Sequence, residues 1–162
     1  MVRKMLRLDQ LLPYRLSVAA NRVSHAIAGA YERLFALSVP QWRLLAVLAE
    51  NEGATQNEIG RKTVMDQVTL SRAVHAPARR GLIVRSPHPR DGRSRRLFLS
   101  GEARDLYRRI APKALELEDH VFSSLSQEDL ARFREILDHV ARKAGELADA
   151  GDQDSCAGMG RK

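Results

Sequence analysis

Three observations predict a mainly helical fold with one small β-hairpin. Apolar residues recur at steps of three and four along most of the chain. Two short apolar runs, Leu82-Ile83-Val84 and Leu97-Phe98-Leu99, flank a loop rich in Pro, Gly and Arg. Residues with side-chain oxygens, or glycines, stand where those helical stretches begin and end. With 162 residues, 44% hydrophobic and 29% charged, the chain can build one core and is too short for two ordinary domains, so a single structural unit is expected.

The first helix is predicted over residues 10–36, because Leu12, Leu16, Ala19, Val23, Ala26, Ala30 and Leu34 share a face while Arg15, Asn21, Arg22 and Glu32 lie between them. Ser38 offers an N-cap oxygen and Pro40 suits a first turn, so a second helix carries Trp42, Leu45 and Leu48 inward and ends near Gly53. Thr55-Gln56-Asn57-Glu58 has capping-box spacing and opens a short third helix that runs to about Thr63. Asp66 caps a fourth, in which Val68 and Val74 are expected to face inward and Gln67, Thr69, Ser71, Arg72 and His75 outward. Pro77 lacks an N–H and disfavours helical geometry at Ala76, which predicts a kink near Ala73–Ala76 or a break into two pieces.

Gly81 stops the fourth helix, and the two apolar runs form a hairpin with residues 88–94 as its loop. Ser100 caps a fifth helix along Ala103, Leu106, Tyr107, Ile110, Ala114, Leu117 and Val121. Ser126 starts a sixth, whose Leu130, Phe133, Leu137, Val140, Ala144 and Leu147 keep a narrow three-four seam that favours another helix as its partner. The polar composition beyond about Ala150 predicts disorder over 151–162. The chain thus reads as an N-terminal helical segment (1–36), a helix-turn-helix with its hairpin (37–100), two C-terminal helices (101–150) and a tail.

Charge gives the first indication of function. Between Arg61 and Arg96 ten Arg and Lys face two Asp, a local balance of +8 in a chain whose total is +7. Everything outside that segment therefore sums to −1, and a basic face concentrated on a helix-turn-helix is the footprint of a duplex-DNA binder. On the second helix of the pair, Arg72 can fork onto guanine and Gln67 can pair with adenine; Thr69 and Ser71 suit a base or a phosphate, and His75 shares the outward face. In the loop Pro87-His88-Pro89-Arg90-Asp91-Gly92-Arg93-Ser94, two prolines stiffen the approach and Gly92 supplies the turn. Asp91 is expected to hold Arg93 by a short ion pair, presenting an arginine suited to a narrow minor groove, with Arg90 and Arg95 beside it. A merely solvated turn remains an alternative for Arg95 and Arg96.

Other classes find little support. The five histidines, His25, His75, His88, His120 and His139, fall on different elements, with no HExxH, no paired cysteines and no Gly-rich phosphate loop, so no enzyme, metal site or cofactor is expected, a metal site built from His25, His120 and an acid across converging helices being the alternative. The single Cys156 sits in the polar tail and is read as an incidental thiol. No apolar run is long enough to cross a bilayer and the N-terminus lacks a signal-peptide pattern, which predicts a cytoplasmic protein.

The ordered motifs resemble the MarR family of bacterial transcription regulators over residues 8–148. The resemblance lies in Leu37-Ser38-Val39-Pro40-Gln41-Trp42-Arg43-Leu44-Leu45, Thr55-Gln56-Asn57-Glu58-Ile59, Met65-Asp66 through Ser71-Arg72-Ala73-Val74, Arg80-Gly81-Leu82-Ile83, and Asp91-Gly92-Arg93-Ser94 with Leu97-Phe98-Leu99-Ser100. It implies a winged helix-turn-helix whose first and last helices interlock two subunits. It further implies recognition helices in successive major grooves of a pseudo-palindromic operator, a wing arginine in the minor groove, and release by small, often aromatic, anions. Pro77 departs from the family, which usually has leucine there. The cysteine that redox-sensing relatives carry near the start of the first helix is lacking, and so is the His, Glu and Cys cluster of metal-sensing ones. The expected function is a homodimeric repressor relieved by a small aromatic acid or phenolic compound, with Tyr14, His25, Trp42 and Tyr107 as candidate ligand contacts. The rival reading is a winged-helix module that binds DNA backbone without sequence preference, or a protein partner.

Overall fold

The computed structural model describes residues 6–157, with 149 and 151–157 by backbone alone. A 3-10 turn, Leu8–Gln10, precedes helices α1 (Leu12–Phe35), α2 (Val39–Glu50), α3 (Gln56–Thr63) and α4 (Gln67–Arg79). Strands β1 (Ile83–Pro87) and β2 (Arg95–Leu99) follow, then α5 (Gly101–Phe122) and α6 (Gln127–Ala157).

Helix starts are set by side chains that satisfy otherwise orphaned backbone groups. The Ser38 N–H donates to Gln41 Oε1 at 2.9 Å, and the Thr55 N–H to Glu58 Oε2 at 2.7 Å. Asp66 Oδ1 accepts from the Thr69 N–H at 2.8 Å, and Ser100 and Ser126 oxygens accept from Ala103 and Asp129. The bonds from Thr55 hold the Glu58 carboxyl below its ordinary range, and those from Thr69 do the same to Asp66. A depressed carboxyl stabilises the fold above its unfolded value, and that contribution is lost as pH falls through the folded one. Both caps of the helix-turn-helix are therefore intact at neutral pH.

The strands pair antiparallel, Ile83 opposite Leu99 through Pro87 opposite Arg95. The α2–α3 connection adds a third, one-residue edge to this hairpin. Gly53 N–H donates to the Leu97 carbonyl and Leu97 N–H to the Ala54 carbonyl, both at 3.0 Å, and Thr55 bridges Arg96. The start of α3 is thereby fixed to the root of the wing.

The core runs from Tyr31 to Ile110, with Leu37, Leu44, Leu45, Leu48, Ile59, Leu70, Val74, Leu82, Leu97 and Ile110 almost fully buried. The chain divides into two compact units after Leu117, within α5. In the second, the Phe122 and Phe133 rings lie 6.1 Å apart and Arg134 pairs with Glu118 at 3.1 Å. None of its described side chains belongs to the core, so the single unit expected from chain length is one core plus a helical unit without a core of its own.

Three further expectations are corrected. Val68 faces solvent at 60% exposure. It lies six residues from Val74, a spacing that puts two residues on different sides of a helix, and the buried stripe is instead Leu70, Ala73, Val74 and Pro77. Of the two outcomes expected at Pro77, a kink or a break, the break does not occur: α4 is one helix through Pro77, which is buried two residues before the helix ends. In this last turn proline removes only the bond to the Ala73 carbonyl, while the Leu82 N–H closes on the Pro77 carbonyl at 2.9 Å. α6 continues to Ala157, into the segment expected to be disordered. No proline interrupts α6, and its two glycines, Gly145 and Gly151, cost only about 1 kcal/mol each. The Cys156 side chain and residues 158–162 lie outside what is described.

Candidate nucleic-acid interface

The α3–turn–α4 hairpin carries the expected polar face. Gln67, Ser71, Arg72 and His75 are exposed on α4. Thr69 is half-buried, and its hydroxyl donates to Asp66 Oδ2 at 2.6 Å, so it completes the N-cap instead of standing free for a base. The competition is local: a carboxylate three residues back is always within reach of the hydroxyl. Arg80, at the end of α4, donates from Nη1 to the Ala36 carbonyl at 2.8 Å and ties the recognition helix to the end of α1.

The wing loop organises itself through its backbone. Asp91 Oδ1 accepts from the Arg93 N–H at 3.0 Å, and its carbonyl from the Ser94 N–H at 3.0 Å. The expected Asp91–Arg93 ion pair is replaced by this Asx-type turn, because two residues apart in a tight turn the backbone N–H is the nearer donor. The Arg93 guanidinium is exposed, as are Arg90 and Arg95. Arg96 differs: half-buried, it donates from Nε to the Gly53 carbonyl at 2.9 Å and lies 5.1 Å from the centre of the Phe98 ring. Arg96 is a brace of the wing root.

Two grooves join these parts. One runs along the helix-turn-helix, lined by Gln56, Asn57, Arg61, Val64, Asp66 and Gln67 among others. The second lies between α3 and the wing, lined by Gln56, Asn57, Arg85, Arg93, Ser94 and Arg95 among others. Gln56 and Asn57 belong to both, so the start of the recognition helix and the wing arginines stand on either side of the first turn of α3. Gln56, Asn57 and Arg85, which the sequence analysis does not single out as site candidates, also line these grooves. The capping box was the available signal for Gln56 and Asn57, since it places them in the first turn of α3.

Of the four aromatic or polar ligand candidates, the structure brings two together. Trp42 stacks on Tyr107, with ring centres 5.5 Å apart and planes 18° apart, and Tyr31 joins from the other pair at 5.4 Å and 39°. Tyr31, buried so that its hydroxyl titrates above the ordinary range, was not singled out from the sequence. Tyr14 and His25 are exposed on α1. Among the described residues no group of three or more His, Cys, Asp or Glu could hold a metal ion, and no helix is long and apolar enough to cross a membrane.

The MarR family model matches residues 37–94, the span from the start of α2 to the end of the wing loop. The chain is 30% identical over 141 residues to the HTH-type transcriptional regulator TtmR of Methylorubrum extorquens (strain PA1), covering 85% of this chain and 70% of that one. It is 27% identical over 104 residues to the HTH-type transcriptional repressor IacR of Pseudomonas putida, covering 64% and 62%. Among solved structures, CouR from Rhodococcus jostii RHA1, bound to p-coumaroyl-CoA, superposes with a TM-score of 0.73 at 22% identity, covering 83% of this chain and 94% of that one. A basic helix-turn-helix and wing on this fold, with identity to TtmR extending far beyond the DNA-binding lobe, place the chain in the MarR family of transcriptional regulators.

Proposed function

We propose that the protein represses transcription as a cytoplasmic homodimer bound to a pseudo-palindromic operator, and that a small aromatic acid or phenolic compound releases it. Residues 1–36 and 101–150 supply the dimer contacts. The observation that supports this reading is that the two grooves share Gln56 and Asn57, the first groove being lined also by Gln67 of α4 and the second by Arg93 of the wing. Base contact gives sequence preference and a minor-groove arginine gives preference for narrow flanks. Gln67, Ser71 and Arg72 are assigned to bases, and Arg90, Arg93 and Arg95 to the minor groove and phosphates. The repressor direction is supported by IacR.

Enrichment of random duplexes with the wild-type protein, followed by binding of the enriched site, tests the proposal. Arg72→Ala is expected to weaken that binding by about 1 to 3 kcal/mol, roughly 5- to 150-fold, and to relax preference at one base pair per half-site. Equal binding of all duplexes by the wild type would favour the backbone-binding module instead.

The ligand part rests on the aromatic cluster Tyr31, Trp42 and Tyr107, and on the aromatic acyl ligand of CouR. Trp42 is the only tryptophan, so its fluorescence reports on this cluster alone. An aromatic acid that lowers operator affinity is expected to change Trp42 emission with the same midpoint. Release of DNA with unchanged emission would move the ligand site elsewhere.

A further inference from the structure

The exposed face of α4 has an apolar residue at its centre. Leu70, Ala73, Val74 and Pro77 are buried, and the opposite ridge, at steps of four, three and four, is Val68, Arg72, His75 and Arg79, all exposed. Val68 is therefore aligned with Arg72, one turn nearer the helix N-terminus, whereas Gln67 lies toward the flank. A recognition helix presents its N-terminal residues to base edges. An exposed β-branched side chain there gains nothing for the fold and has one chemical partner on a major-groove edge, the thymine C5-methyl group. The neighbouring polar side chains leave that place to it. Thr69 is tied into the N-cap, and Asp66 is occupied by Thr69.

We infer that Val68 is a specificity residue that selects a thymine in each half-site through its methyl group. The inference rests on the sequence-specific DNA binding proposed above. Residues four apart on a helix are displaced by about 6 Å along its axis, and stacked bases by about 3.4 Å. The thymine thus lies one or two base steps from the guanine assigned to Arg72.

The test uses the full-length protein and the duplex it enriches from a random pool. Each thymine near the base pair that depends on Arg72 is replaced in turn by deoxyuridine, which removes the methyl group and leaves the pairing intact. One such replacement is expected to weaken wild-type binding about three- to tenfold, the scale of one buried methyl contact. Val68→Ala, which withdraws the two γ-methyl groups and leaves only a shorter Cβ, is expected to lose most of the preference for thymine over uracil at that position. The variant should melt no lower than wild type, since the side chain is exposed and alanine favours the helix. A wild type indifferent to uracil at every such position overturns the inference, and so does a Val68→Ala protein that keeps the wild-type preference. Either result leaves sequence-specific binding standing, whereas failure to enrich any sequence removes both.

Discussion

A chain ending at Leu125 is expected to sediment as a monomer and to bind its operator at least a hundredfold more weakly than the full protein. α6 leaves Phe133, Ile136, Leu137, Val140 and Leu147 exposed, Leu147 at 75%, and has no buried residue among those described. Such a row in water is unfavourable, and it keeps the seam spacing that suits a second helix. Binding two half-sites through one dimer makes the second contact intramolecular, and this is worth a factor of roughly 10² to 10⁴. The buried core from Tyr31 to Ile110 precedes the cut, so helical content and Trp42 emission distinguish lost assembly from lost folding. A truncated chain that remains a soluble dimer would show that α1 and the retained part of α5 hold the interface without α6.

Features specified by a few adjacent residues were legible in the sequence. Thr55 with Glu58, Asp66 with Thr69, and Ser126 with Asp129 announce helix starts because the capping group and its target are three residues apart. The basic segment was legible because charge needs no folding to be counted. What failed was what depends on phase or on distant neighbours. Val68 was misplaced because one apolar residue at the start of a helix does not reveal which way the stripe turns; Leu70, Ala73 and Pro77 do. Thr69 is expected free for a base and Asp91 paired with the Arg93 guanidinium, yet a short polar side chain takes the nearest backbone or capping partner first. No sequence signal marks the left-handed backbone at Ala36 and Val64, both with φ 51°, where glycine would be usual. The bridge between Thr55 and Arg96 joins residues 41 apart in sequence through the packing of the whole lobe. Neither partner lies in a run long enough to look like a paired strand.

Gly53 is where that packing is most exposed to a single substitution, and Gly53→Val is expected to destabilise the protein by about 2 to 4 kcal/mol. Its φ is +77°, a conformation that costs a residue with a Cβ about 1 to 2 kcal/mol and a β-branched one more. A Cβ at this position would also collide with the Arg96 guanidinium, whose Nε bonds the Gly53 carbonyl and whose plane covers Phe98. Displacing Arg96 forfeits that hydrogen bond and the cation–π contact, each on the order of 1 kcal/mol. Urea unfolding separates the two contributions. In an Arg96→Ala background the collision is gone, so Gly53→Val should cost only the backbone part, about 2 kcal/mol for a β-branched residue, and the difference between backgrounds measures the steric coupling. Equal costs in both would mean that Arg96 swings aside freely and does not brace the wing. If the brace is real, Gly53→Val also loosens β2 where Leu97 pairs with the α2–α3 connection. Operator affinity should then fall at a temperature where the variant is still fully folded, because Arg93 no longer meets its groove at a fixed distance from Arg72.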